Sequence, residues 1–123
     1  MLPGLYLGLE NKDSFRRLQS LLKTEISDLT FTNLFMWQVS FGLRPAYLEA
    51  VDYWLLPAQP PRHAPFFLPP LGDWSDLDRL KKALEKMDEI AAHGQWEFRM
   101  KRAPRRLAMA LRQIDPSLQL KED

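Results

Sequence analysis

The sequence predicts an α+β domain, a mixed sheet flanked by helices. Trp96, Phe98 and Met100 alternate with Glu97, Arg99 and Lys101 at the period of a half-buried strand. Between residues 46 and 68, short runs rich in Tyr, Trp, Val, Leu and Phe are punctuated by Asp and Pro, as strands joined by turns are. Leu77, Leu80, Leu84, Met87 and Ala91 recur at steps of three and four, the spacing of one helix face. A chain of 123 residues, 46% of them hydrophobic, is one domain's worth, able to hide roughly two thirds of the surface its unfolded state exposes.

Taken in order, Leu5, Leu7 and Leu9 alternate with Tyr6 and Gly8 as a first strand. Asp13 or Ser14 caps a helix running to about Lys23, with Phe15, Leu18, Leu21 and Leu22 on its apolar face. Ser27 or Asp28 caps a second helix, which Gly42 and Pro45 stop near Phe41. Its residues Phe31, Leu34, Phe35, Met36 and Trp37 leave neither side plainly solvated, so both sides want a partner. AYLEAVDYWLLPA at 46–58 reads as a hairpin divided around Asp52, and Pro57, Pro60, Pro61 and Pro65 mark the loop after it. Phe66, Phe67 and Leu68 form a third short strand that Pro69 and Pro70 stop, and these strands make the sheet's centre. Ser75 with Asp78 begins the helix that His93 and Gly94 close. After the strand at Trp96–Lys101, Pro104 opens a last helix with Leu107, Ala108, Leu111 and Ile114 on one face, ended by Asp115 and Pro116. Leu118 and Leu120 offer a further strand. The order is strand, helix, helix, three strands, helix, strand, helix.

Composition narrows the chemistry. With no cysteine there are no disulfides, thiolate metal sites or cysteine nucleophiles. His63 and His93 lack a ligand partner at helical spacing, so no metal site is expected. Ser14, Ser27 and Ser75 all read as caps, and none sits in a nucleophile motif. No run reaches the roughly 20 apolar residues of a membrane span and the N-terminus lacks a signal-peptide pattern, so a cytoplasmic protein is expected, with membrane contact only at the periphery. The net charge of +1 hides a basic stretch: Arg99, Lys101, Arg102, Arg105, Arg106 and Arg112 have no acid among them between Glu97 and Asp115. A solvated helix face outweighs polyanion binding there, and Arg102, Arg105 and Arg106 are kept as partner candidates for tRNA phosphates or anionic lipid. Asn33 and Trp37, one helical turn apart, are candidates for a polar and aromatic binding edge, against the plainer reading that they are packing residues.

Two motifs, ISDLTFTNLFMWQ at 26–38 and FFLPPLG at 66–72, resemble the N-terminal part of the phosphatidylglycerol lysyltransferase C-terminal domain family. The resemblance implies two GNAT-type acyltransferase lobes in tandem, and the element order is that of a GNAT lobe. It also implies aminoacyl transfer from aminoacyl-tRNA in one branch, and a second lobe following a position such as Asp123. In a GNAT fold an acyl-CoA pyrophosphate sits where the strand before the long helix turns into it. Here that turn is Pro69, Pro70, Leu71, Gly72, Asp73, Trp74: two residues without N–H, and carboxylates at Asp73 and Asp76, where an anion needs donors. The expectation is a single GNAT-like lobe over 1–123, without catalytic residues, cofactor or metal, that scaffolds a second lobe. The alternative is a free-standing module that dimerises through the second helix and binds an acidic partner.

Overall fold

The computed structural model describes residues 11–20, 38 and 42–118. Within them the chain forms α1 (Lys12–Ser20), β1 (Ala46–Leu48), β2 (Tyr53–Ala58), β3 (Phe66–Leu71), α2 (Leu77–His93) and α3 (Arg105–Ile114). The strands make one antiparallel sheet in the order β1-β2-β3. The architecture is α+β, as expected. The first strand at Leu5–Leu9, the second helix with Asn33 and Trp37, the end of the first helix past Ser20, and Leu120 all lie outside the described residues.

The helix α1 begins at Lys12, so Ser14 is inside it rather than its cap. Its hydroxyl instead accepts from Trp54 Nε1 at 3.2 Å. Phe15 and Leu18, three apart on one face, are buried in the core, and the Phe15 ring lies 6.1 Å from that of Trp54. On its outer face Arg17 grips Asp52 with two bonds of 2.8 and 2.7 Å, and the Tyr47 hydroxyl donates to the same carboxylate.

Asp52 is the turn residue between β1 and β2, at φ +58°, a left-handed conformation that a short polar side chain tolerates. The hairpin pairs Ala46 with Leu55, Tyr47 with Trp54 and Leu48 with Tyr53. All six residues of β2 are buried, including Pro57 and Ala58, so Pro57 belongs to the strand and not to the following loop. Its place is consistent with its chemistry. Pro57 lies opposite Phe67, whose N–H and carbonyl turn away from β2, and the Pro57 carbonyl accepts from Arg44 N at 2.9 Å. The absent N–H therefore breaks no ladder bond with β3.

Pro69 and Pro70 likewise do not stop β3, which continues to Leu71. Leu68 pairs with Leu56 and Leu71 with Trp54, so the two prolines together oppose Leu55 in a β-bulge. A bulge already forgoes ladder bonds, and proline is tolerated there.

Asp76, not Ser75, caps α2: its carboxylate accepts from Arg79 N at 3.2 Å, while Ser75 bonds back to Asp73. Leu77 is 39% exposed, and Ala83 and Ile90 join Leu80, Leu84, Met87 and Ala91 in the core. Gly94 ends the helix in ordinary right-handed geometry. A Cβ there would stand 2.6 Å from the Trp96 indole, so the glycine lets that ring pack.

The alternation from Trp96 to Lys101 is present, with Trp96, Phe98 and Met100 half-buried and Glu97, Arg99 and Lys101 exposed. The expected strand is nonetheless reduced to one parallel bridge, Met100 to Phe67. Gln95 and Arg102, at φ +61° and +62°, turn the chain just outside this segment and limit the pairing. In α3, Leu107, Ala108 and Leu111 are buried and Ile114 half-buried, on the face foreseen.

Two outcomes test these contacts. The Arg17 and Tyr47 bonds hold the Asp52 carboxyl down to about 2 from an ordinary 3.8. A lowered native value stabilises the fold above about pH 4 and the contribution vanishes as pH falls towards 2. Asp52→Asn keeps a residue suited to the left-handed turn, so its urea midpoint should fall below wild type at pH 7 by an amount of under about 1 kcal/mol and converge with it near pH 2. Gly42 sits at φ +60°, with its Cβ position inside contact distance of the Gln59 carbonyl. Gly42→Ala should cost at least about 1–2 kcal/mol in the same measurement.

Candidate functional site

Three places on the described surface could carry function. The first is the turn from β3 into α2. Gly72 passes so close over the Tyr53 ring that a Cβ would stand 2.6 Å from it. The Tyr53 hydroxyl donates to the Asp73 carbonyl at 2.6 Å, and its pKa is pushed well above the usual phenol range, first by burial and then by Asp73 and Asp76. Trp74 is 1% exposed and its Nε1 donates to the Pro70 carbonyl at 2.8 Å. The Asp73 carboxylate accepts from both Ser75 Oγ (2.5 Å) and Ser75 N (3.0 Å), which lowers its pKa. Asp76 caps the helix and lies 3.4 Å from Arg79, and Asp78 follows in the first turn. The α2 N-terminus thus faces carboxylates of its own chain, and the positive end of its dipole is already matched.

The second place is the basic end of α3. This helix starts at Arg105 after Pro104, with no side-chain cap and no acid in its first turn. Arg102, Arg105 and Arg106 are all exposed there, as the sequence suggested. They do not converge on one point: Arg102 belongs to the left-handed loop before the helix, and Arg105 and Arg106, as neighbours in a helix, diverge by about 100°. The Arg106 guanidinium lies over the Trp74 ring, 5.4 Å from its centroid, so it also covers the turn described above. Met109, one turn on from Arg105, is 52% exposed.

The third place was not foreseen. An open groove of about 700 Å³ runs between β1 and the C-terminal half of α2. Leu48, Leu55 and Ile90 supply apolar walls, and Lys86, Glu89 and His93 supply the polar ones. Lys86 and Glu89 pair with each other at 3.5 Å. The signal was present as Lys86, Ile90 and His93 at steps of four and three on one side of α2, but which strand faces them was not readable. Among the described residues, no three His, Asp or Glu side chains gather as a metal site would need, and no helix is long and apolar enough to cross a membrane.

The roles of the turn residues are separable. Trp74→Phe leaves the buried Pro70 carbonyl without its donor and should lower stability by about 1–3 kcal/mol in urea unfolding. Arg106→Ala removes an exposed cation over the Trp74 ring and should cost less than about 1 kcal/mol.

No family model matches the chain, and no curated protein does. A solved structure is similar in fold, the crystal structure of a conserved protein of unknown function from Bacteroides thetaiotaomicron VPI-5482, with a TM-score of 0.71 at 21% identity. The likeness covers 95% of this chain and 37% of that one, so this chain spans little more than a third of the length of its structural neighbour.

Proposed function

We propose that this chain is a non-catalytic, GNAT-like lobe of a two-lobe protein similar to the phosphatidylglycerol lysyltransferase C-terminal domain family, and that it scaffolds the second lobe. On this reading β1 to β3 are the second to fourth strands of a GNAT-like order, α2 its third helix, and residues 96–101 the fifth strand. The observation that carries the reading is the closed turn at 72–76, between β3 and α2. The Trp74 indole donates back to the Pro70 carbonyl, the Tyr53 phenol of β2 donates to the Asp73 carbonyl, and the Asp73 and Asp76 carboxylates sit on the chain's own donors, so the turn offers an anionic cofactor carboxylates in place of donors. The occurrence of a similar fold as part of a much longer chain supports a lobe rather than a whole protein. The aminoacyl-transfer chemistry that the resemblance implies then belongs to the other lobe, as do its substrates, with tRNA or anionic lipid meeting this lobe only through Arg102, Arg105 and Arg106. The cytoplasm is the compartment that goes with this reading.

Two measurements test it. Titration of acetyl-CoA into the chain should give no saturable heat at millimolar ligand, and binding that Trp74→Phe alters would overturn the non-catalytic assignment. The polypeptide of the whole reading frame, cut by limited proteolysis, should yield a fragment ending near residue 123 that co-elutes with the remainder. A reading frame that stops at Asp123, with the chain a stable homodimer in gel filtration, would favour the free-standing module instead.

A further inference from the structure

The outer edge of residues 96–101 carries an inference that rests on the two-lobe reading. Phe67 N donates to the Arg99 carbonyl at 2.8 Å and Lys101 N donates to the Phe67 carbonyl at 2.9 Å. These two bonds fix the orientation of the segment. Arg99 and Lys101 turn their backbone polar groups towards β3, so Met100, and by strand alternation Phe98, turn theirs away from it. Among the described residues neither has a backbone partner on that side. Both are apolar, pack against the core cluster, and are only half-buried. The Phe98 ring lies 5.4 Å from that of Phe67, so the sheet's apolar layer continues to this edge and stops there incompletely covered. The opposite face is charged: Lys101 lies over the Phe66 ring, 4.6 Å from its centroid, and Arg99 meets Glu97 at 3.1 Å.

Charged residues on an edge are a common guard against indiscriminate pairing. They also select a partner, because opposite charges facing each other across adjacent strands are favourable and like charges are not. We propose that this edge receives an extended segment from the second lobe, which adds a strand beside residues 98–100. Its alternate residues would be apolar where they extend the Phe98 and Met100 layer, and acidic where they face Arg99 and Lys101. The added backbone satisfies the outward groups of Phe98 and Met100, and the added side chains complete the cover over them.

Amide hydrogen exchange, resolved by residue, tests this on the chain and on the polypeptide of the whole reading frame. In the chain alone the Met100 and Phe98 amides should exchange like exposed loop amides, whereas that of Lys101, bonded to Phe67, is protected. In the longer polypeptide the Met100 and Phe98 amides should slow by about 100-fold or more. Arg99→Glu with Lys101→Glu should reduce that protection about tenfold while leaving the protection of the backbone amide at position 101 and the helical ellipticity of the isolated chain unchanged, which separates docking from folding. Met100 protection already present in the chain at high dilution would assign the edge to the chain's own residues and overturn the proposal. Protection in the chain that grows with concentration would assign it to a second copy, with the same result. Fast Met100 exchange in a longer polypeptide whose two proteolytic halves still co-elute would overturn this edge and leave the two-lobe reading standing. A reading frame ending at Asp123 would overturn both.

Discussion

Everything described here is organised around β2, a strand whose six residues are all buried and whose neighbours are hydrogen-bonded on both sides. A buried backbone must have its N–H and carbonyl groups paired, so the elements around it are constrained to deliver partners. The β1 strand supplies them on one side as far as Leu55, and beyond that Arg44 N supplies one to the Pro57 carbonyl. On the other side β3 supplies them except at Leu55, where Pro69 and Pro70 form the bulge. Three prolines are thus built into the most buried part of the sheet, each where a missing N–H costs little.

The two helices that follow treat their N-termini in opposite ways. At α2 the orphan amides and the positive dipole end meet Asp76, Asp73 and Asp78. At α3 there is no capping side chain, and Arg105 and Arg106 add positive charge to an already positive end, which ordinarily costs some tenths of a kcal/mol. The stacking of Arg106 over Trp74 offsets part of that cost and draws the start of α3 onto the turn before α2. The same contact that fastens α3 therefore also shields the strand-to-helix turn, so the closed turn and the basic surface are two sides of one arrangement.

Much of this was legible from local pattern. The hairpin, its division at Asp52, the buried stripe of α2 and the face of α3 follow from periodicity and turn chemistry, which need only a few neighbouring residues. Misreadings arose where a local rule met a distant partner. Proline was read as a terminator at Pro57 and Pro70, because nothing nearby shows that the opposite strand is not asking for an N–H. Asp13 or Ser14 has the local chemistry of a cap, but both lie inside α1 and the Ser14 hydroxyl is taken by Trp54, 40 residues away. Leu77 fitted the apolar stripe by spacing, yet it lies in the first turn of α2 with its side chain 39% exposed. Of the candidate site residues, the arginines were placed correctly on the surface, but their divergence follows from where α3 begins and from the left-handed turn at Arg102. The groove between β1 and α2 joins Leu48 to Ile90, and no pattern within either segment encodes that meeting.

Among the described residues, the sequence by itself determined which segments are helical and which extended, because backbone propensity and side-chain period act over one or two turns of chain. It also determined that Pro69 and Pro70 carry no amide donor, since proline's missing N–H is covalent. Only the tertiary structure decided that the prolines lie within strands and that residues 96–101 present an open edge. Those facts depend on which backbone lies 4.7–4.9 Å away across the sheet, a distance no stretch of neighbouring residues specifies.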